Sequence, residues 1–284
     1  MTVYLNGEFL PVEEAKVSVL DRGFIFGDGI YEVIPVYGGR LFRLGHHLER
    51  LDHSLEAIHL TNPLDQEQWQ KILEDLVRRN GSGDQSLYLQ ITRGVAPREH
   101  DFPRDTVPTV FAMSTPLESE AAETPSPISA VTVEDIRWKW CHIKAIALLP
   151  NILMRQQAVE QGAGEAIMLR DHFVTEGAAS NIFIVNHGVV LTPPKSNLLL
   201  PGVTRDLVVE LCHANAIPCV EGALSEPQLR GADEVWITSS TREIVPVVRL
   251  DGIPVGDGQP GPLWQHLRDL YQVYKQAFRE GRVS

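Results

Sequence analysis

The chain has 284 residues, which is enough for one large domain or two domains of medium size. Its formal net charge of −12 at pH 7 argues against nucleic acid or an anionic membrane surface as a partner. Three cysteines without a C-x-x-C pair, and no signal-like or membrane-spanning apolar run, predict a cytoplasmic protein with reduced thiols.

The first part of the chain mixes strand and helix patterns. Its predicted elements, in order, are a hairpin at Asn6-Gly7, strands at 31–37 and 40–42, helices at 48–58 and 65–80, and strands at 86–92 and 109–113. Gly81 stops the second helix. These elements predict an α+β domain over residues 1–115.

Residues 116–127 separate this domain from the rest. The segment has three prolines and three acids with almost no bulky apolar residue, which is typical of a linker. The predicted elements that follow are strands at 128–133, 165–169, 181–185 and 234–237 and helices at 151–162, 204–214 and 261–279. The sequence therefore predicts an α/β (α+β) fold with a larger, barrel-like second domain over residues 128–284.

Lys144 lies inside the apolar run 143–149, an unusual place for a charge. Burial disfavours the ammonium form, so we expect the pKa of Lys144 to fall towards a reactive free amine. The alternative is a lysine that extends its ammonium to solvent, and spacing alone favours that alternative. Further along the chain, Val174-Thr175-Glu176-Gly177 predicts an acid at a tight turn.

Two segments offer neutral donors to an anion. Gly202 precedes a predicted helix with Thr204 in its first turn, and Thr238-Ser239-Ser240-Thr241 follows a predicted strand. A plain helix cap and a solvated loop are the respective alternatives. The two clusters together predict a small phosphate held by neutral groups.

Arg98 and His100 lie two residues apart on a polar loop and are able to converge on one carboxylate, although a mixed-charge surface loop is the alternative. The histidines at 46, 47, 53 and 59 lack metal-ligand spacing and lie on an amphipathic helix, so we expect solvated side chains and no metal site. No G-x-G-x-x-G or G-x-x-x-x-G-K motif occurs, which argues against a nicotinamide or ATP site.

A lysine poised as a free amine, an acid at a turn and a phosphate site together describe one cofactor. Pyridoxal 5′-phosphate needs a Schiff-base lysine, a carboxylate at its pyridine nitrogen and a phosphate site. The residues therefore predict pyridoxal 5′-phosphate as the cofactor.

Further segments support this prediction in one order along nearly the whole chain. They are Asp21-Arg22-Gly23, Phe26-Gly27-Asp28-Gly29-Ile30-Tyr31-Glu32-Val33, Thr92-Arg93-Gly94, Pro97-Arg98-Glu99-His100, Val133-Glu134-Asp135-Ile136-Arg137-Trp138, Ile143-Lys144, Thr175-Glu176-Gly177, Ser180-Asn181 and Gly202-Val203-Thr204-Arg205. In these segments the chain resembles the fold-type IV (class IV) pyridoxal-phosphate-dependent aminotransferases, and most closely the bacterial D-amino acid aminotransferases.

The resemblance implies roles for nine residues. Lys144 is implied as the Schiff-base lysine and the group that moves the substrate Cα proton, and Glu176 as the partner of the pyridine nitrogen. The residues implied around the cofactor phosphate are Arg50, Val203, Thr204 and Ser240. The residues implied around the substrate carboxylate are Tyr31, Arg98 and His100.

The resemblance also implies an activity and an assembly. The implied reaction is transamination between D-amino acids, such as D-alanine and D-glutamate, and 2-oxo acids. The loop that carries Arg98 and His100 reaches the site from a partner subunit in this subgroup, which implies a homodimer with shared active sites.

Four other functions are open to the same scaffold. Branched-chain L-amino acid and (R)-amine transamination are disfavoured by the Arg98–His100 pair, which suits the carboxylate of a D-substrate. A 4-amino-4-deoxychorismate lyase uses the same lysine for elimination, and a non-catalytic cofactor-binding protein is disfavoured by intact Lys144 and Glu176. The chain departs from the family at Trp140 and His142, where an arginine and an aspartate usually flank the cysteine.

Overall fold

The computed structural model describes residues 1–117 and 125–283, so much of the predicted linker, at 118–124, lies outside the described residues. Within the described part, the chain forms two compact units. The first comprises residues 1–117, 143–148 and 278–283, and the second comprises 125–142 and 149–277. None of the helices in these described ranges combines the length and the apolar character that a membrane crossing needs.

The first unit is built on a six-stranded antiparallel sheet. Its strands are β1 (Thr2–Leu5), β2 (Glu8–Pro11), β3 (Gly29–Tyr37), β4 (Arg40–Leu41), β5 (Gln85–Thr92) and β6 (Thr109–Pro116), in the order β2-β1-β6-β5-β3-β4. Its helices are α1 (Arg22–Phe26), α2 (Leu44–Ala57) and α3 (Gln66–Asn80).

Helices α2 and α3 cover one face of this sheet. Asp65 caps α3 by accepting a hydrogen bond from the Gln68 backbone N–H, and the Gln68 side chain closes the reciprocal capping box. Leu51 on α2 and Trp69 on α3 are fully buried in the core that the two helices form with the sheet. Because side chains alternate across a strand, the other face of the sheet presents Tyr31 and its neighbours.

The segment that carries Lys144 is held against β3. The Tyr31 backbone N–H donates to the Lys144 carbonyl oxygen at 2.9 Å, and Ile30 forms an isolated antiparallel bridge with Ala145. The Lys144 backbone N–H donates in turn to Ser54 Oγ on α2 at 3.2 Å. The backbone of Lys144 is therefore fixed from both a strand and a helix of the same unit.

The second unit contains a nine-stranded mixed sheet. Its strands are β7 (Ile128–Glu134), β8 (Glu165–Arg170), β9 (Phe173–Gly177), β10 (Asn181–Asn186), β11 (Val189–Thr192), β12 (Cys219–Glu221), β13 (Glu234–Ser239), β14 (Glu243–Leu250) and β15 (Ile253–Pro254). They run in the order β12-β11-β10-β13-β14-β7-β8-β9, and β15 pairs with β14. The β11–β12, β7–β14 and β7–β8 pairs are parallel.

Four helices accompany this sheet: α4 (Leu149–Glu160), α5 (Val203–Ala214), α6 (Glu226–Arg230) and α7 (Pro262–Arg279). The buried Glu234 carboxylate accepts hydrogen bonds from the Leu263 and Trp264 backbone N–H groups, and so caps the start of α7. A Cβ at position 261 would lie 2.1 Å from Glu234 Cδ, so only glycine fits this close approach.

The predicted α/β fold class is confirmed. The structure adds elements that periodicity did not predict: helices α1 and α6 and strands β9, β11, β12, β14 and β15. Glu176 is the penultimate residue of strand β9, and the short bend at 178–180 joins β9 to β10. The predicted acid at a turn therefore lies at the end of a strand, with Gly177 between it and the bend.

Candidate active site

Lys144 lies at one end of a row of aromatic rings in the first unit. Its Nζ is 4.1 Å from the ring centroid of Tyr31, and Tyr31 is 5.7 Å from Tyr88. Tyr88 lies 6.4 Å from Phe111 in turn, and the row is half-buried. Burial, and then the neighbouring Tyr31 hydroxyl, raise the pKa of Tyr88 to about 12, so its phenol remains protonated at neutral pH. The amine of Lys144 therefore faces an aromatic surface on the side of the sheet opposite the core.

A buried carboxylate on β3 holds two side chains of α2, an arginine and a histidine. Glu32 accepts from Arg50 Nε at 2.8 Å and from Arg50 Nη2 at 2.7 Å, and it contacts His47 Nδ1 at 2.8 Å. Burial opposes the charge on Glu32, but Arg50 and His47 lower its pKa to about 2. Arg50 is thus fixed as a planar fork by the bidentate contact.

His47 corrects the prediction that the helix histidines are solvated. His46, His53 and His59 are exposed, but His47 is fully buried beside Glu32. Burial lowers the pKa of His47, with further lowering from the nearby Arg50 and Lys144 charges, while Glu32 raises it. Within the described residues, no group of histidines, cysteines and acids has the arrangement of a metal site.

Arg98 and His100 come together on another ring of the first unit. Arg98 Cζ lies 5.5 Å from the ring centroid of Phe26, and the His100 ring lies 5.6 Å from it. Both side chains are exposed and their polar ends are open to a ligand. Tyr31, the third residue of the predicted carboxylate site, belongs to the row with Lys144 and Tyr88.

In the second unit, Glu176 is a buried acid with donors on both carboxylate oxygens. Oε1 accepts a short hydrogen bond from Arg137 Nη1, and Oε2 accepts from the Leu200 backbone N–H at 3.1 Å and from Asn181 Nδ2 at 3.3 Å. Burial raises the pKa of Glu176 to about 7, and the lowering by Arg137 is not enough to offset it. Glu176 is therefore poised to exchange a proton near neutral pH.

Arg137 was not assigned a role from the sequence, although its segment was among those that matched the family. It is buried between two acids, because Asp135 accepts from its Nε at 2.9 Å and from its Nη2 at 2.9 Å. Thr175 Oγ1 donates to the same Asp135 carboxylate at 2.9 Å. Burial opposes ionisation of Asp135, but hydrogen bonding and the charge of Arg137 lower its pKa, so an ionised pair supports Glu176.

Donors suited to a phosphate converge close to Glu176. Helix α5 begins after Gly202, which has no side chain to cap the first backbone N–H groups. Asn181 packs against Gly202, where a Cβ would meet its Oδ1 at 2.0 Å, and Thr238 pairs with Asn181 in the β10–β13 register. Thr238 Oγ1 is buried without a hydrogen-bond partner among the described residues. A helix N-terminus beside a free buried hydroxyl fits a phosphate monoester.

The predicted site residues are therefore divided between the units. Lys144, Tyr31, Arg50, Arg98 and His100 lie in the first. Glu176 lies in the second, which also holds Val203 and Thr204, buried in the first turn of α5, and Ser240, half-buried in the turn after β13.

The departures at Trp140 and His142 form one contact. Their rings stack with centroids 5.9 Å apart, and Trp140 is exposed. His142 Nδ1 is buried without a partner within the described ranges. Burial raises the pKa of the intervening Cys141 thiol to about 11, so this thiol stays protonated at neutral pH.

The sequence pattern of the amino-transferase class IV family matches residues 29–250. The chain belongs to the class IV aminotransferases. A family relative, the D-alanine aminotransferase of Bacillus licheniformis, is 40% identical over 272 residues, covering 96% of each chain.

Solved structures of class IV aminotransferases share the fold. The branched-chain amino acid aminotransferase from Escherichia coli is 27% identical, with a TM-score of 0.87 over 95% of this chain and 92% of that one. A hypothetical aminotransferase from Mycobacterium tuberculosis in its PLP-bound form is 25% identical, with a TM-score of 0.85 over 98% of both chains.

Proposed function

We infer that this chain is a pyridoxal-phosphate-dependent D-amino acid aminotransferase. It transfers the amino group between D-amino acids, such as D-alanine and D-glutamate, and 2-oxo acids. The observation that carries this assignment is the Arg98–His100 pair gathered on Phe26, in a class IV chain that is 40% identical to a D-alanine aminotransferase along its whole length. An arginine fork beside an imidazole binds a carboxylate.

The residues that would hold the cofactor fit its chemistry. Bound pyridoxal 5′-phosphate supplies an electron-withdrawing ring that stabilises negative charge at the substrate Cα. We propose that Lys144 carries the cofactor covalently and that Glu176 pairs with its pyridine nitrogen. The residues proposed to hold its phosphate are Arg50, Val203, Thr204 and Ser240, and the unpartnered hydroxyl of Thr238 joins them.

Lys144 is proposed as the catalytic base and acid. Its backbone is fixed by hydrogen bonds with Tyr31 and Ser54. The fixed backbone limits the positions that Nζ can take when it approaches the substrate Cα proton. The aromatic surface of Tyr31 contacts the amine and excludes water from that side. Lys144 Nζ then removes the Cα proton and returns it later in the reaction.

Glu176 is proposed to keep the cofactor ring in its protonated, electron-withdrawing state. Burial gives this carboxyl a pKa near 7, so a positively charged ring nitrogen is a strong partner for its ionised form. Arg137 and Asn181 hold the carboxylate in one orientation, and its oxygens retain acceptor capacity for one further donor. Glu176 therefore depends on its hydrogen bonds with Arg137 and Asn181 to pair with the ring nitrogen.

We also propose that the enzyme is a cytoplasmic homodimer with shared active sites. Arg98 and His100 would serve the substrate carboxylate of the partner protomer together with that protomer's Tyr31. Free Cys141, Cys212 and Cys219 support a reducing compartment.

Branched-chain L-amino acid transamination is the second candidate. It is supported by the structural likeness to the Escherichia coli enzyme at a TM-score of 0.87. The higher identity to the Bacillus licheniformis relative and the Arg98–His100 pair favour D-substrates.

A half-reaction panel separates the two candidates. The purified holoenzyme is mixed with D-alanine, L-alanine, D-glutamate or L-leucine, while the visible absorbance of the bound cofactor is followed and the released 2-oxo acid is quantified. We expect D-alanine to react at least roughly 100-fold faster than L-alanine, because a fixed carboxylate site presents only one Cα–H direction to Lys144. Faster conversion of L-leucine than of D-alanine would assign the branched-chain activity instead.

A further inference from the structure

Helix α1 anchors the segment that carries Arg98 and His100. Arg22 is buried at the start of this helix, and its Nη1 donates to the Glu99 carbonyl oxygen at 2.6 Å and to the Asp101 carbonyl oxygen at 3.4 Å. These two carbonyl groups flank His100 in the chain. The backbone on both sides of His100 is therefore held by one guanidinium group.

Arg22 is itself fixed by a buried network. Its Nε donates to Asp28 Oδ2 at 2.8 Å, and Arg93 Nε donates to the same oxygen at 2.8 Å. Burial opposes the charge on Asp28, but Arg93 and Arg22 lower its pKa overall, so it stays ionised. Arg93 ties the network to the end of α2 through the carbonyl oxygen of the capping residue Ile58 at 2.7 Å. Each charged member of this anchor therefore has a partner.

The side chains of the pair are organised by Phe26, the last residue of α1. Its ring contacts Arg98 and His100, and Arg22 Cζ lies 4.8 Å from the same ring centroid. Arg98 and His100 are otherwise exposed. An exposed arginine has high rotamer freedom, and a ring beneath its guanidinium restricts that freedom before a ligand arrives.

We propose that Phe26 and Arg22 are positioning residues for substrate carboxylate recognition. This inference rests on the proposed function, in which Arg98 and His100 bind the carboxylate. Arg22 fixes the backbone on both sides of His100. Phe26 contacts the side chains of Arg98 and His100, so that their donor groups are spaced to bind one carboxylate. Neither residue touches the reacting atoms, and their effect is on carboxylate selectivity.

The test compares D-alanine with D-alaninol, which replaces the carboxylate by a hydroxymethyl group. In the holoenzyme, Phe26→Leu should lower the ratio of kcat/KM for D-alanine to that for D-alaninol by about fivefold to tenfold. The loss for D-alanine should be in KM, with kcat nearly unchanged, because the ring does not touch the reacting atoms. The inhibition constant of propanoate, a simple carboxylate, should rise by a similar factor.

Three further variants make the result specific. Phe26→Tyr keeps the ring and should restore the ratio, and Arg22→Lys, which loses the fork on the backbone, should lower it. Phe9→Leu is the matched control, because Phe9 is also a half-buried ring of the first unit, beneath Arg79 Cζ at 4.3 Å, and it should leave the ratio unchanged.

Equal losses for D-alanine and D-alaninol in Phe26→Leu, or an unchanged ratio and an unchanged propanoate constant, would overturn the positioning role. Arg98→Ala on the same panel separates this failure from that of the proposed function. If Arg98→Ala lowers the ratio and Phe26→Leu does not, only the positioning role fails. If Arg98→Ala also leaves the ratio unchanged, the assignment of the carboxylate site fails with it.

Discussion

At the scale of single residues, Glu176 shows how burial and hydrogen bonding set opposing demands on one carboxyl group. Burial favours its protonated form, whereas Arg137, Asn181 and the Leu200 backbone favour its ionised form. Burial prevails in the cofactor-free chain and raises the pKa from 4.5 to about 7. The folded chain therefore holds a proton that the unfolded chain releases between these two pH values.

This difference predicts a pH dependence of stability. Since the folded state binds more protons between about pH 4.5 and pH 7, the contribution of Glu176 to stability falls as the pH rises through that window. Glu176→Gln does not titrate, so from pH 5 to pH 8 the free energy of unfolding of the variant should gain roughly 2–3 kcal/mol relative to wild type. Urea unfolding of the cofactor-free proteins at both pH values measures this change.

The comparison is made as a difference between two pH values, because glutamine offers one acceptor oxygen where the carboxylate offers two, and so loses part of the hydrogen bonding from Arg137, Asn181 and the Leu200 backbone at every pH. The exposed Glu13→Gln controls for the loss of one charge. Parallel pH profiles for wild type and Glu176→Gln would show that Glu176 is ionised at neutral pH in the cofactor-free chain.

At the scale of elements, the contact between β3 and α2 depends on one buried carboxylate. Glu32 on the strand is the shared partner of Arg50 and His47 on the helix, and its side chain is fully buried. Arg50 is also proposed to bind the cofactor phosphate. The contact between Glu32 and Arg50 should therefore affect both the stability of α2 and the binding of the cofactor. Removing Glu32 leaves the Arg50 guanidinium and the buried His47 ring without their common acid.

We therefore expect Glu32→Ala to destabilise the protein by about 3–5 kcal/mol, the usual cost of breaking a buried ion pair. It should also weaken cofactor binding, because Arg50 loses the contact that orients its guanidinium. Asp75→Ala is the matched control: Asp75 pairs with Arg79 on the exposed face of α3, so its loss should cost less than about 1 kcal/mol. Denaturant unfolding and cofactor titration give the two readouts, and equal effects of the two variants would contradict this account of the β3–α2 contact.

Elements with strong local signals were predictable from the sequence. Helix α3 has an acid–glutamine capping box at its start, a helical apolar period and Gly81 at its end, and the structure places it at Gln66–Asn80 as expected. Helix α1 has only five residues, too few to show a period, so it was not predicted. The positioning role proposed for Phe26 and Arg22 was therefore not predicted, although their segment was among those that matched the family.

Contacts between distant parts of the chain were the hardest to predict. Arg137 and Glu176 are 39 residues apart, and no local pattern indicates that they form a pair. His47 lies four residues before Leu51 on the buried face of α2, so the helical period separates it from exposed His46, but its partner Glu32 on β3 became visible only in the fold. The sequence was thus sufficient to predict which residues have side chains suited to the chemistry, whereas the partners that hold those side chains could be identified only from the folded structure.

At the scale of the whole molecule, each active site of the proposed homodimer contains residues from both protomers. The Arg98–His100 pair and its anchor in α1 belong to one compact unit, together with Lys144. If the pair serves the partner's substrate, each protomer supplies a lysine to its own site and a carboxylate clamp to the other. Closed two-fold symmetry makes this exchange reciprocal.

The central claim is that Lys144 and the Arg98–His100 pair of two protomers act on one D-amino acid. Its most direct test is co-expression of differently tagged Lys144→Ala and Arg98→Ala chains, followed by isolation of the mixed dimer and assay with D-alanine and 2-oxoglutarate. Each mixed dimer contains one site with both groups, so we expect it to regain roughly half of the wild-type activity per dimer, while the Lys144→Ala homodimer is inactive and the Arg98→Ala homodimer has a high KM for D-alanine. A mixed dimer with no low-KM activity towards D-alanine would contradict the account.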